Sequence, residues 1–248
     1  MNSPKEILQI WIKNSCSKAN LPIYKMIVLG MLAGMYIGLG CHAFILATAN
    51  GLSVLEKMIG AALFPCGLML VILCGAELFT GNNLMTLAYM KKEISLAKML
   101  RNWGLVYVAN FLGSLIMAFL LAHSGLYDGA PLARAMALAS GKIAMPFTQA
   151  IIRGILCNIL VVLACWMQAA SKSMAGKVLG IWFPIALFVF AGFEHSVANM
   201  TYVPLGFFLG MEGSWLSFLL HNLLPVTIGN LIGGALVIPV CYILVYKD

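Results

Sequence analysis

Charged side chains are scarce in this sequence. Only 9% of its 248 residues are Asp, Glu, Lys or Arg, whereas 62% are hydrophobic. A soluble globular domain carries roughly 25% charged residues, so this composition excludes one. Apolar runs long enough to cross a bilayer as helices, about 20 residues each, recur along nearly the whole chain. We therefore predict an all-α polytopic membrane protein with six transmembrane helices and no separate soluble domain.

The chain also lacks the patterns of several kinds of site. Its 7 cysteines are scattered and form no CxxC pair, which argues against a disulfide framework and against a metal site. Neighbouring acid and base side chains occur at Glu194 and His195, but no nucleophile, metal-ligand cluster or cofactor motif accompanies them. We predict that the protein is not an enzyme and holds no cofactor or metal.

Positive charge is concentrated on one side of the predicted helices. Most Lys and Arg residues fall before the first apolar run or after the second, fourth and sixth: Lys5, Lys13, Lys18, Lys25, Lys91, Lys92, Lys98, Arg101, Lys172, Lys177 and Lys247. The positive-inside rule makes this side cytoplasmic. We predict a protein of the cell (inner) membrane, surrounded by lipid, with both termini in the cytoplasm. The net charge of +7 is therefore not taken to indicate a nucleic-acid partner.

Residues 1–22 are predicted to form an amphipathic helix on the cytoplasmic face. Ser3 is a candidate N-cap, Pro4 suits the first turn, and Glu6 completes a capping box. Trp11 is expected at the membrane interface. Residues 23–248 are predicted to form a single transmembrane domain.

Acidic side chains occur inside two of the apolar runs. Glu77 lies in GAELFTGNN, residues 75–83, and Glu194 and His195 lie in FAGFEHSVANM, residues 190–200. Such groups cost several kcal/mol at membrane depth unless they are paired or face a wet cavity, so a functional role is the usual explanation. A histidine satisfied within the protein core is the alternative. We predict that the second helix is interrupted at residues 78–80 and the fifth at residues 195–197.

The two halves of the chain, about residues 23–123 and 147–246, resemble each other. Glu194 follows Glu77 by 117 positions, and Asn230 follows Asn110 by 120 positions. Because each half would hold three helices, the two halves start on opposite sides of the membrane, and the 3+3 repeat is inverted. Inverted repeats with matching interruptions indicate a transport path between the halves. Chance similarity among apolar helices is the alternative.

Four strings in the sequence closely resemble the formate–nitrite transporter family: GAELFTGNN, RGILCN at 153–158, GFEHSVANM at 192–200 and HNLLPVTIGN at 221–230. The resemblance covers all six predicted helices. It implies a homopentamer with an aquaporin-like protomer fold and one substrate path per protomer. It also implies transport of small monovalent anions such as formate, nitrite, hydrosulfide or lactate, and the motifs do not separate these anions.

The resemblance implies a role for individual side chains. His195 matches the central pore histidine, and Thr80 matches the threonine of the interrupted second helix. Asn158 is expected on the inner side of the path and Lys142 in a vestibule. The other implied positions are the constrictions, at Phe64, Phe79 and Phe188 on the outer side and Leu68 and Leu78 further in, and the support of the broken helices, at Glu77, Glu194 and Asn199.

These residue types suit the passage of a weak acid's anion. A bare anion cannot cross an apolar constriction cheaply, because its desolvation is very costly. We expect Lys142 to attract the anion as an exposed cation. His195, between the two constrictions, would then give it a hydrogen bond or a proton. Thr80 and Asn158 would add neutral hydrogen bonds.

Three other functions share some of these sequence features. An aquaporin-like channel for water or small neutral solutes would share broken helices, but the sequence has no NPA motif. A membrane enzyme would need a nucleophile beside Glu194 and His195. A purely structural subunit would not need ionisable groups inside its helices.

Overall fold

The computed structural model describes residues 1–246, and Lys247, counted above among the inner cations, lies outside the described residues. The described chain consists of helices and short connections. The α-helices are α1 (Pro4–Ala19), α2 (Ile23–Ala47), α3 (Val54–Leu63), α4 (Cys66–Leu73), α5 (Phe79–Asn82), α6 (Thr86–Met90), α7 (Leu96–Ala122), α8 (Gly129–Ile143), α9 (Phe147–Ala170), α10 (Met174–Ala191), α11 (Ser196–Phe208), α12 (Trp215–Ser217), α13 (Leu224–Leu231) and α14 (Ile238–Tyr246). A 3-10 segment joins α5 to α6, and π-helical segments join α12 to α13 and α13 to α14.

Within residues 1–246, 6 helical stretches are long and apolar enough to cross a membrane: Ile23–Ala47, Val54–Leu73, Leu96–Ala122, Phe147–Ala170, Met174–Ala191 and Trp215–Tyr246. The prediction of six transmembrane helices is confirmed. The third helix begins at Leu96, because the Ser95 side chain caps it by accepting a hydrogen bond from the Lys98 N–H.

Helix α1 begins as predicted but is placed differently. The Glu6 N–H donates to Ser3 Oγ at 3.3 Å, and the Ser3 N–H donates to Glu6 Oε2 at 2.6 Å, which forms the capping box. Trp11, however, is only 7% exposed and packs in a core with residues of α6, α9 and α14. The expectation that Trp11 lies at the membrane interface is wrong, because the bundle itself covers the apolar face of α1.

Glycines bring pairs of long helices close together. A Cβ added to Gly34 of α2 would lie 2.1 Å from the Asn110 carbonyl oxygen of α7. A Cβ added to Gly229 of α13 would lie 2.2 Å from the Ile151 carbonyl oxygen of α9. Only glycine permits these approaches, as is common at helix contacts in membranes. The close packing places Asn110 and Asn230 deep in the bundle, where both are fully buried.

Two non-helical segments lie inside the bundle. Helix α4 ends at Leu73 and α5 begins at Phe79, while α10 ends at Ala191 and α11 begins at Ser196. We predicted the interruptions at residues 78–80 and 195–197, a few residues too late in both cases, because Thr80 and Val197 are helical. The inverted relation between the two halves stays a prediction.

Candidate functional site

His195 is the N-cap residue of α11 and is 3% exposed. Its Nδ1 accepts a hydrogen bond from the Ala198 N–H at 3.1 Å, and its Nε2 lies 2.8 Å from Thr80 Oγ1. A ring nitrogen that accepts from an amide carries no proton, so the proton of this imidazole is on Nε2. The Nε2–H therefore donates to Thr80 Oγ1, and the hydroxyl proton of Thr80 is left free to be donated elsewhere.

Asparagine side chains, rather than glutamates, hold the backbone at both non-helical segments. The amide of Asn110 donates to the Gly30 and Glu77 carbonyls at 2.8 and 2.9 Å and accepts from the Phe79 N–H at 2.9 Å. These contacts fix the start of α5. The expectation that the Glu77 carboxylate ties down this backbone is not what the structure shows.

Asn230 does the same at the second segment. It donates to the Gly154 and Glu194 carbonyls at 2.8 and 3.0 Å and accepts from the Ser196 N–H at 2.9 Å. Because unsatisfied backbone groups are costly at membrane depth, these bonds allow a helix to start in the middle of the bundle. Sequence reasoning used Asn110 and Asn230 only as markers of the repeat. Their 120-position spacing, combined with their burial inside apolar helices, is the signal that could have identified this role.

Glu194 forms a buried ion pair with Lys142. The Lys142 Nζ donates to both carboxylate oxygens, at 3.0 and 2.9 Å, and the Asn199 side-chain amide donates to one of them at 2.7 Å. The Lys142 side chain is only 13% exposed, and its ammonium lies 5.1 Å from the centre of the Tyr202 ring. The sequence-based expectation of an exposed Lys142 is therefore wrong.

A second ion pair of the same composition joins Lys18 to Glu77. Lys18 Nζ donates to Glu77 Oε1, and the Asn82 side-chain amide donates to Oε2 at 2.7 Å. Asn102 donates to the Lys18 carbonyl at 3.3 Å, as Asn222 donates to the Lys142 carbonyl at 2.8 Å. Sequence reasoning missed Lys18 because it counted this residue only as an inner-surface cation.

Three cavities follow one another through the bundle, and each shares lining residues with the next. The Lys142 cavity has a volume of about 120 Å³ and is lined by residues that include Lys142, Phe64, Phe188 and His195. The central cavity, about 10 Å³, is lined by Phe64, Phe188, His195, Leu68, Leu78, Ile37, Val161 and Ile185. The Lys18 cavity, about 40 Å³, is lined by residues that include Lys18, Trp11, Leu68 and Leu78. The central cavity shares lining residues with each of the other two cavities and therefore lies between them. Apolar side chains separate it from the Lys142 cavity on one side and from the Lys18 cavity on the other, and we call these two barriers the gates.

The gates consist of residues that both adjoining cavities share. The Phe64 and Phe188 rings meet edge to face, with their centres 5.6 Å apart, between the Lys142 cavity and the central cavity. Leu68 and Leu78 line both the central cavity and the Lys18 cavity. A volume near 10 Å³ is at the lower limit for one water molecule. The connection between the three cavities is therefore closed in this conformation.

Phe79 and Asn158, two of the residues predicted on the path, are not among the lining residues of the three cavities. Phe79 packs edge to face against Tyr107 and Trp103, with ring centres 4.8 and 6.4 Å away, and does not join the Phe64–Phe188 pair. Its position follows from the start of α5, which turns the side chain toward α7. Asn158 donates to Asn83 Oδ1 at 2.7 Å, to the Asn230 carbonyl at 2.8 Å and, at 3.4 Å, to the carbonyl of Thr80, the residue that contacts His195. Its amide therefore ties α9 to neighbouring elements, including the start of α5.

Other cavities and groups stand apart from this path. A cavity of about 690 Å³ between α9 and α10 is lined by residues such as Lys172 and Phe183, and His195 is not among them. Among residues 1–246, no group of three or more His, Cys, Asp or Glu side chains is placed to bind a metal ion.

Comparisons with known proteins point to one family. The profile of the formate/nitrite transporter family matches residues 5–244. The chain is 37% identical to the formate channel BtFdhC of Bacillus thuringiensis over 99% of its own length and 96% of that relative. A solved FNT family ion channel superposes with a TM-score of 0.90 at 30% identity, covering 96% of this chain and 98% of that one. A solved pentameric formate channel with formate bound superposes with a TM-score of 0.80 at 32% identity, covering 91% and 98%.

Proposed function

The chain belongs to the formate/nitrite transporter family, and we propose that it carries small monovalent anions of weak acids across the cell (inner) membrane. The proposed substrates are formate, nitrite or hydrosulfide. The proposed path runs from the Lys142 cavity through the central cavity to the Lys18 cavity. The observation that carries the proposal is the contact of 2.8 Å between His195 and Thr80 beside a central cavity closed by two apolar gates.

His195 acts in this proposal as a neutral hydrogen-bond donor. Adding a proton to Nδ1 would break the bond from the Ala198 N–H that caps α11, and it would place a cation in a buried site. The Nε2–H needs no such change to turn from Thr80 Oγ1 to an arriving anion. Thr80, freed from that bond, can donate its own hydroxyl proton to the same anion.

The two ion pairs serve the two mouths of the path. Each lysine is neutralised by a glutamate until an anion arrives, so neither mouth holds an anion tightly. An anion near Lys142 competes with Glu194 for the ammonium, and an anion near Lys18 competes with Glu77. Weak binding at both mouths favours release as well as uptake.

The assembly is proposed by analogy with the relatives. A homopentamer with one path per protomer agrees with the pentameric formate channel that this chain resembles. An inverted repeat with both termini in the cytoplasm would place the Lys18 cavity inside and the Lys142 cavity outside. An aquaporin-like channel for neutral solutes is not favoured, because relatives over nearly the whole length are named formate channels.

The direct test is to reconstitute the protein in liposomes and compare the fluxes of formate, nitrite, hydrosulfide and chloride with osmotic water flow. We expect saturable formate or nitrite flux. Water flow without flux of these anions would contradict the proposal and support the aquaporin-like alternative.

A further inference from the structure

Arg134 of α8 is a half-buried cation without an acidic partner. Its Nε donates to Thr48 Oγ1 at 2.9 Å, and its guanidinium carbon lies 5.9 Å from the centre of the Phe44 ring. Within residues 1–246 it takes part in no ion pair. Burial lowers the pKa of Arg134 from its ordinary value. A partly desolvated charge without a counterion is unfavourable, and an arriving anion would relieve that cost.

The position of Arg134 relates it to the proposed path. Arg134, Leu138 and Lys142 are spaced by four residues along α8 and therefore share one helix face. Leu138, Lys142 and Phe44 all line the Lys142 cavity. Arg134 itself does not line the cavity, but its guanidinium faces the ring of the wall residue Phe44, two helical turns before the lysine.

Arg134 and Lys142 differ in how many of their hydrogen-bond donors are free to bind an anion. Glu194 contacts the Lys142 ammonium with both carboxylate oxygens, at 3.0 and 2.9 Å. Arg134 uses only Nε, and Thr48 itself donates to the Phe44 carbonyl at 2.8 Å, which fixes the direction of the contact. The Nη1 and Nη2 groups, at the far edge of the guanidinium, keep their donors for another partner.

We propose that Arg134 is a specificity-determining residue at the mouth of the Lys142 cavity, where its Nη1–Nη2 edge receives the two oxygens of a planar oxyanion such as a carboxylate or nitrite. This inference rests on the proposed function. A planar guanidinium matches two oxygens with parallel hydrogen bonds, whereas a lysine ammonium acts as a point charge. Hydrosulfide and chloride offer no such pair of oxygens. Arg134 should therefore favour formate and nitrite over anions of equal charge.

The test compares Arg134→Lys and Arg134→Gln with the wild-type protein in liposomes, with Lys57→Gln as the matched control. Lys57 is likewise a cation beside an aromatic ring, with its ammonium 5.3 Å from the centre of the Phe190 ring, but it lines none of the three cavities. Initial uptake of formate and of hydrosulfide is measured below saturation, at low and high ionic strength. We expect Arg134→Lys to lower the formate-to-hydrosulfide ratio about 3- to 10-fold while uptake keeps its dependence on salt. We expect Arg134→Gln to weaken both, and Lys57→Gln to change neither.

The outcomes separate this inference from the proposed function. If the wild-type protein moves formate and Arg134→Lys leaves the formate-to-hydrosulfide ratio unchanged, the role of Arg134 is overturned and the path is unaffected. If Arg134→Lys reduces the uptake of all anions equally, Arg134 only packs α8 against α2, and the role is again overturned. If the wild-type protein moves none of these anions, the proposed function itself fails. The lysine variant remains decisive if the glutamine variant does not fold.

Discussion

Replacement of His195 separates its two contacts. Nδ1 caps α11, and Nε2 reaches Thr80 at 2.8 Å. Glutamine is long enough to bring an amide N–H close to the position of Nε2, but it caps a helix poorly. Asparagine caps a helix well but is too short to reach Thr80. Leucine does neither, and none of the three titrates.

The size of the effect follows from the bond that is lost. A hydrogen bond to a charged group contributes about 1.5–3 kcal/mol, which corresponds to a rate factor of roughly 10 to 150. We expect His195→Leu to lower formate flux by about that factor. We expect His195→Gln to stay within about 10-fold of the wild-type flux with an unchanged pH profile. For stability, His195→Asn should match the wild-type protein, whereas the other two variants should lose about 1 kcal/mol with the cap.

Flux is measured by stopped-flow in liposomes containing equal amounts of folded oligomer, at several pH values, and stability by thermal unfolding in detergent. The reasoning is refuted if His195→Gln is folded and as inactive as His195→Leu. That result would mean that transport needs an imidazole that gains and loses a proton.

Three further outcomes follow from the structure. Glu194→Gln alone should lower the unfolding temperature more than the double variant Glu194→Gln/Lys142→Gln, because the single substitution leaves a largely buried lysine unpaired. Thermal unfolding of both variants measures this, and an equal decrease in unfolding temperature would contradict it. Asn230→Leu leaves two backbone groups, the Glu194 carbonyl and the Ser196 N–H, without partners at about 1–3 kcal/mol each. Little folded protein should therefore be recovered on size-exclusion chromatography, whereas a stable variant would show that this asparagine does not hold the break. Leu68→Ala should widen the inner gate and raise acetate flux relative to formate flux in liposomes. An unchanged acetate-to-formate ratio would show that this leucine is not part of the gate.

The membrane architecture could be predicted from the sequence because it depends on length and composition. The near absence of charge along runs such as Ile23–Ala47, where Lys25 near the start is the one charged side chain, already requires a helix in lipid. Thr80 and His195, 115 positions apart, were both predicted to lie on one path, but the sequence did not predict the hydrogen bond between them. Their assignment came from the family resemblance and not from any local pattern.

Other parts of the site depend on tertiary contacts that no local pattern encodes. Lys18 pairs with Glu77 across 59 positions, and nothing near Lys18 distinguishes it from the cations around it. The exact starts of α5 and α11 are set by distant asparagines, so propensity alone placed the breaks too late. Lys142 was expected in water for the same reason: its partner, Glu194, is 52 positions away.

If the two halves are related as proposed, Leu78 and His195 occupy equivalent places, since they are 117 positions apart and each directly precedes a residue whose N–H is held by an asparagine. Both side chains line the central cavity. The chain therefore has an apolar residue at one break and a polar donor at the other. A donor at both breaks would hold an anion from two sides and slow its release, whereas leucine at both would leave the anion without a partner at its most desolvated point. Under the proposed function, an imidazole at one break and a leucine at the other would leave His195 and Thr80 as the donors to the anion, which would stabilise it enough to enter and not enough to stay.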